Sequence, residues 1–466
     1  MRLPLPIATY RLPSPSASSA RLVNVYAEQA PVGAKGPVIL RRAPGIRSWA
    51  EVGDGPIRGM TVMGGVLYVL SGEEFYSIAS NGTATQITGT VPGAERVRIA
   101  NNGTDIVIVR PDDNTAFESD GSTVTQITDP VYADWGATDV DYLDGYLVFS
   151  RPDSHQFFNT GLNEVTFSAL DITSADGKPD NLLGLVVDHR EIFLPGTESC
   201  ELWYNAANQT GSPFSRSPNG LIELGCAAGD SLAKQDNGVA WLANDLTFRR
   251  LNGTTPERIS QHGIEAAVQR FSKVDDCFAL PYTQEGHLFV AFTFPFEGRT
   301  LVVDFTTGEW HERESLGYSR WRPNCIVQAY GKQIVGDSET GKLGILDPDT
   351  HEEWGEPQRV EWTYQPVYAE RRRVLHQRLE LVLNTGHGVT TGQGQNPLAT
   401  LKVSDDGGET WRALPTRSLG EIGKYKTRAQ WWRLGSARER VYRVEVTDPV
   451  PLYVTDTQLD AVGARS

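Results

Sequence analysis

The segment Ser404-Asp405-Asp406-Gly407-Gly408-Glu409-Thr410-Trp411 carries the most specific spacing of polar residues in this chain. It matches the Asp-box pattern Ser-x-Asp-x-Gly-x-Thr-Trp, in which Ser404 and Asp406 tie down a β-hairpin turn running through Gly408 and Thr410, and Trp411 packs beneath it. The same pattern is found in sugar-active propellers, so glycoside chemistry has to be weighed. Retaining hydrolysis needs two carboxyl groups about 5 Å apart, or a tyrosine nucleophile with arginines on the substrate carboxylate. Asp304, Glu309, Glu312, Asp337 and Asp347 are available acids, but they fall where hairpin turns usually place them. The box occurs once and outside the repeats described below, which favours a folding role. A glycan-binding or glycan-hydrolysing propeller is the alternative reading.

The remaining reactive residues converge even less. Arg371-Arg372-Arg373 is contiguous, so its side chains alternate across a strand instead of closing on one anion. Such a run is expected at an interface or a solvated edge. Trp310-His311-Glu312-Arg313 with Trp321-Arg322-Pro323 is dense in aromatic and arginine residues, the composition of a protein interface or of blade-edge packing. The eight histidines form no HxH or HxxxH pair, and Cys200, Cys226, Cys277 and Cys325 form no CxxC. No metal, cofactor or catalytic set is expected, and the cysteines are expected to be reduced and buried. Gly386-His-Gly-Val-Thr-Thr-Gly-Gln-Gly394 lacks the Lys-Ser/Thr of a phosphate loop and reads as a loop between strands.

These residues must be positioned by β-structure. A turn followed by an alternating apolar strand returns as Gly64-Gly65-Val-Leu-Tyr, Asn102-Gly103-Thr-Asp-Ile-Val, Asp144-Gly145-Tyr-Leu-Val, Asp188-His-Arg-Glu-Ile-Phe, Asn237-Gly238-Val-Ala-Trp, Gly286-His-Leu-Phe-Val and Gly331-Lys-Gln-Ile-Val. Steps of roughly 40–50 residues are the period of propeller blades. The fold class is all-β: about seven blades over 51–352, preceded by an extended arm over 1–50 and followed by a β-sandwich over 353–466, where longer strands alternate. The Pro- and Ser-rich arm contains one short strand, and deletion of residues 1–20 is expected to spare the fold while impairing assembly.

Composition narrows the function. The 466 residues include 43 basic and 58 acidic side chains, for a net charge of −15, so sequence-specific DNA reading is not expected. No apolar run approaches the ~18–20 residues of a membrane span. The start, with Pro4 and Pro6, lacks a signal-peptide core, which predicts cytoplasmic synthesis.

The order of short phrases says more. Leu22-Val-Asn-Val-Tyr-Ala-Glu28 leads to Ala43-Pro-Gly-Ile46, Ile57-Arg-Gly59, Glu95-Arg-Val-Arg-Ile-Ala-Asn-Asn-Gly103, Trp203-Tyr204, Pro213-Phe214, Gly225-Cys226, Thr306-Thr-Gly-Glu-Trp310 and Val335-Gly-Asp337. The Asp box, Gly420-Glu-Ile-Gly423 and Trp432-Arg-Leu-Gly435 complete the series. This layout resembles the tail hub (nozzle) proteins of short-tailed phages, also called packaged-DNA stabilisation proteins. The resemblance implies a structural virion protein made in host cytoplasm: a homohexameric ring below the portal and its head-to-tail adaptor protein. Tailspikes or tail fibres would attach outside and a needle or plug close the tip, while packaged DNA passes the lumen without sequence-specific binding. It implies no catalytic site. Six copies would bring −90 charges, which could keep the lumen from holding DNA.

Overall fold

Each of the seven repeated phrases forms the hairpin between the first and second strands of a four-stranded antiparallel set. In this computed structural model, which describes residues 2–12, 14, 16–208, 211–369 and 372–463, the first strands are Ile57–Met63, Arg98–Asn101, Asp139–Leu143, Val186–Asp188, Ala233–Gln235, Phe278–Gln284 and Pro323–Ala329. Most of the hairpins are two-residue turns with both central φ values positive: Asp144 and Gly145 at 51° and 95°, Tyr330 and Gly331 at 53° and 68°. Such turns match the right-handed twist of the strands they join, which is why Gly, Asn and Asp mark the repeat. His189-Arg190 and Asp236-Asn237 make the same turn without glycine.

The seven first strands line a central cleft, and the first and last of them lie side by side, so the blades close into a propeller. Closure is made by the amino-terminal segment. Gly45–Glu51 pairs antiparallel with Lys342–Asp347 and supplies the outer strand of the last blade.

The amino-terminal fifty residues are therefore not an extended arm. Ser19–Val23 pairs with Val360–Thr363, and Val25–Gln29 and Val38–Arg42 form one side of a five-stranded sheet with Tyr453–Gly463, Val374–Leu383 and Ala429–Ala437. The opposing sheet carries Val360–Thr363, Glu439–Val446 and Leu398–Ser404. Between the sheets lies a core built from both ends of the chain, with Leu3, Leu22, Val25 and Leu40 against Trp362, Leu379, Leu401, Trp431 and Val444. Burying each such aliphatic side chain stabilises by roughly 1.5–3 kcal/mol, so removing the first strands would open this core. The prolines and serines set the irregular start, but alternation in Leu22-Val-Asn-Val-Tyr-Ala is what inserts it.

One strand serves both domains. Val25 and Ala27 face the sandwich core, while Tyr26 on the opposite face meets Phe289 and His287 of the sixth blade at ring distances of 5.2 and 5.1 Å. The outer strand of that blade, Trp310–Glu312, pairs with Val23, so hydrogen bonding runs unbroken from blade to sandwich.

Candidate functional site

The Asp box is a closed hydrogen-bond set. Ser404 Oγ accepts from the Gly408 N–H at 2.8 Å and donates to Asp406 at 2.6 Å. The Asp406 carboxylate accepts the N–H groups of Glu409 and Thr410 at 3.1 and 3.0 Å, together with the Thr410 hydroxyl. Those bonds hold its pKa well below the usual aspartate range, led by the Ser404 and Thr410 hydroxyls. Trp411 donates Nε1–H to Gly408 O at 2.9 Å and carries the Arg443 guanidinium 3.9 Å from its ring centre. Asp405, a variable position of the pattern, makes a bidentate pair with buried Arg440 at 2.6 and 2.7 Å. Every polar group of the box except exposed Glu409 is thus committed to the fold.

Trp310 and Trp321 are not an exposed patch. Both are fully buried, Trp310 between the fifth and sixth blades and Trp321 between the sixth and seventh. Trp310 packs on Phe248 and donates to Ile259 O at 3.0 Å. Trp321 lies under Arg313, whose guanidinium sits 3.9 Å from the ring centre, and donates Nε1–H to Glu353 at 2.9 Å. Glu353 also takes Arg313 at 3.3 Å and the Ser315 hydroxyl, and Arg313 donates to Pro44 O at 2.6 Å. Aromatic and arginine density here marks an internal joint.

The candidate acids are also occupied. Asp304 pairs with His287 at 2.7 Å, Asp347 with Arg47 at 2.9 Å, and Asp337 with Arg322, while Glu309 accepts from Gln261 at 3.0 Å. Burial pushes the thiols of Cys200, Cys226, Cys277 and Cys325 upward, to about 11 for Cys226 and about 12 for Cys325, and all four are free. Among the described residues no three His, Cys, Asp or Glu side chains are grouped as metal ligands.

Glu312 belongs to an ion lattice across the domain seam. Arg21 donates to Glu312 at 2.9 Å, to Glu314 at 2.6 Å and to Glu361 at 3.4 Å. Arg299 reaches Glu312 from the sixth blade at 2.7 Å. Arg359 bridges Glu314 and Glu361 at 2.7 and 2.8 Å, and Arg443 joins Glu361 at 3.2 Å before stacking on Trp411 of the box. Burial alone would raise the Glu312 pKa, but Arg21 and Arg299 hold it at about 2. Beside the lattice lies Asn24, fully buried with φ 53°, donating its amide hydrogens to Glu314 O at 2.8 Å and Arg359 O at 2.7 Å. Sequence reasoning assigned no role to Arg21 or Asn24. The available signal was a charged and an amide residue embedded in an otherwise apolar strand.

The central cleft of the propeller encloses about 300 Å³. Arg98 pairs there with Asp230 and lies 3.5 Å from Asp139, Lys234 lies 3.4 Å from Asp141, and Arg96 stacks over Phe278 at 4.0 Å. Arg58 also lines the cleft, so four cations meet the three carboxylates Asp139, Asp141 and Asp230.

Of the arginine run, Arg371 lies outside the described residues, while Arg372 and Arg373 are exposed beside the five-stranded sheet and Arg373 donates to Ser436 at 3.2 Å. Charge is distributed unevenly. Residues 51–352 hold 20 basic and 43 acidic side chains, net −23, whereas residues 1–50 and 353–466 together hold 23 and 15, net +8. Among the described residues no helix is long and apolar enough to cross a membrane.

Two family models cover nearly the whole chain: bacteriophage P22 Gp10, β-propeller, over residues 3–351, and bacteriophage P22 Gp10, β-sandwich, over residues 360–462. The chain belongs to the P22 Gp10 family. This is a tail and DNA-stabilisation family of short-tailed phages, and the role is that of a structural virion protein assembled with other virion proteins. A search of curated proteins finds no match to this Gp10-family chain. Similar solved structures include a computationally designed protein, Ika8, at 13% identity, covering 70% of this chain and 99% of that one with a TM-score of 0.39. They also include the extracellular domain of a putative one-component system from B. thetaiotaomicron (10%, 88% and 59%, 0.43) and the Cps50 (Swd1) β-propeller domain of Myceliophteria thermophila (10%, 64% and 98%, 0.42).

Proposed function

We propose that the chain is a subunit of the tail nozzle or hub ring, a homohexamer docked below the portal and head-to-tail adaptor protein. In this reading it retains packaged DNA and forms the channel for its ejection. Tailspikes or tail fibres, and a needle or plug protein, are its other partners. The observation that supports this reading best is the fused seam. A blade, an amino-terminal strand and a sandwich sheet share hydrogen bonds, an apolar core and an ion lattice, giving a rigid two-domain wall unit. Rigidity of this kind suits a channel that must bear the force of a packaged genome. The net −23 of the propeller fits a surface that passes DNA without holding it.

The test is the mass and shape of the purified protein, alone and mixed with portal–adaptor complexes, by native mass spectrometry and particle imaging. Six copies on the complex are expected. A chain that stays monomeric and ignores the complex overturns the reading. The glycan alternative loses its motivation, since the Asp-box groups that suggested it are spent on a hairpin.

A further inference from the structure

The outer face of the five-stranded sheet is apolar at one end and surrounded by arginines. Trp432 is 58% exposed, Val462 55%, Leu375 43% and Tyr368 71%. Register relates the first three: Leu375 stands opposite both Ser436 and Val462, and Trp432 stands opposite Arg378 three residues along the same strand, whereas Tyr368 pairs with Glu439 of the opposing sheet. Arg373 reaches Ser436 in that first row, and Arg372 precedes it. Arg372, Arg433 and Arg438 have no ion-pair partner among the described residues, whereas Arg378 beside Trp432 is paired with Asp460 and Glu380, so cations are in excess on the rim. The edge strand Ala429–Ala437 is interrupted by positive φ at Arg433 and Gly435, which blocks simple strand addition and leaves side chains as the contact.

The matching chemistry is on the propeller of the same chain. The loop over 160–171 in the third blade exposes Leu162 at 55% and Leu170 at 78%. Glu164 within it and Asp176 just beyond are exposed and have no ion-pair partner among the described residues. One patch is apolar with cations in excess around it, and the other is a loop with two exposed leucines and two carboxylates without ion-pair partners, on segments of net +8 and −23. Two complementary patches at different places on one chain make a head-to-tail contact, which closes into rings or extends into filaments.

We propose that the Trp432–Leu375–Val462 face, with Arg372, Arg373 and Arg438, receives the 160–171 loop of a second copy's propeller. This rests on the ring reading above and assigns its subunit contact. Duplex DNA is the competing occupant of a basic aromatic surface. It is disfavoured here by the acidity of the propeller carried on the same rigid body.

Charge exchange between the patches tests the pairing. One variant carries Arg372→Glu, Arg373→Glu and Arg438→Glu, and a second carries Glu164→Lys and Asp176→Lys. All five positions are exposed, and matching thermal unfolding to the unaltered chain verifies that each variant is folded. Assembly is followed by native mass spectrometry on full chains, with portal–adaptor complexes present. Each variant alone is expected to assemble at least about tenfold more weakly, since like charges then face each other. Mixed, the two are expected to co-assemble in equal numbers, because each patch again meets its opposite. Rings that persist in the first variant overturn this contact and leave the ring standing. Failure of the unaltered chain to form rings overturns the ring reading itself. Binding of a 30-base-pair duplex by the unaltered chain that the first variant loses, with rings intact, assigns the face to DNA instead.

Discussion

The side-chain amide of Asn24 donates to the Arg359 carbonyl at 2.7 Å, joining the amino-terminal strand to the segment that enters the sandwich. The same amide reaches Glu314 O at 2.8 Å, its Oδ1 accepts from the Glu314 N–H at 3.2 Å, and its backbone holds φ 53°. Three chain segments therefore depend on one residue. Asn24→Gly keeps the backbone conformation and removes the amide, leaving buried carbonyls unsatisfied. A loss of about 2–4 kcal/mol is expected in urea unfolding. Asn24→Ala adds the cost of a Cβ in the left-handed region, roughly 1 kcal/mol more. Equal stability of the two variants would show that the backbone conformation is not under strain.

Glu353 is the carboxylate that answers Arg313 inside the joint beneath Trp321. Glu353→Ala leaves a fully buried guanidinium with no counter-charge and is expected to cost about 3–5 kcal/mol. The double variant Arg313→Met with Glu353→Leu should recover part of that loss. If the double variant is no better than the single, packing of Trp321 and not the buried charge sets the cost.

Acid should weaken the fold in two stages. Burial lowers the pKa of His311 from 6.5 to about 3, and those of His351 and His376 to about 4. The unfolded chain takes up these protons first as pH falls below 6.5, so their contribution is present above 6.5 and drains towards pH 4–3. Glu312, held at about 2 against an ordinary 4.5, contributes above 4.5 and loses that contribution on the way to 2. His287 runs the other way, since its hydrogen bond to Asp304 raises its pKa, so its contribution is full below 6.5 and is lost as pH rises from there through the raised value. Urea midpoints should decline from pH 7 to 4 and again below 4.5, with Glu312→Gln flattening the second decline. A flat profile between pH 7 and 4 would remove the histidines from the account.

Deletion of residues 1–20 removes Leu3 from the sandwich core and the Leu3 N–H bond to Thr457 O at 2.9 Å, as well as the Tyr10–Ala20 pairing. The outcome expected now is a destabilised fold and not a spared one. Deletion through residue 51 should also open the last blade, because Gly45–Glu51 closes it. Amide exchange can separate the two. The shorter deletion should expose 374–383 and 453–463, and the longer one 332–347 in addition.

Asp406→Asn should loosen only its own hairpin. The carboxylate is exposed and its partners all lie between residues 404 and 410, so faster amide exchange at Gly408, Glu409 and Thr410 is expected without a shift in the global unfolding midpoint. A global shift would mean that the box also braces Arg443, whose guanidinium stacks on Trp411.

The repeated turns of the propeller were legible because a hairpin is decided locally. Two left-handed residues are needed between strands, and Gly145 and Gly331 supply them in the chain itself. The Asp box was legible for the same reason, since Ser404, Asp406 and Thr410 bond within one turn. For Trp310 and Trp321 the sequence left interface and blade-edge packing open, because aromatic and arginine density reads alike on a surface and in a joint. Only the folding of Pro44 and Glu353 against Arg313 makes it interior.

By itself, then, the sequence determined the all-β class, the blade rhythm and the second domain, all carried by short-range spacing. Tertiary structure alone decided that the first fifty residues belong to both domains, and that Arg21, Asn24 and Glu312 meet at the seam. Partners there are separated by 290 to 340 residues, as in Arg21 with Glu312 and with Glu361. No local pattern encodes which distant carboxylate an arginine will find, because that choice is made by the packing of two β-layers after each has formed.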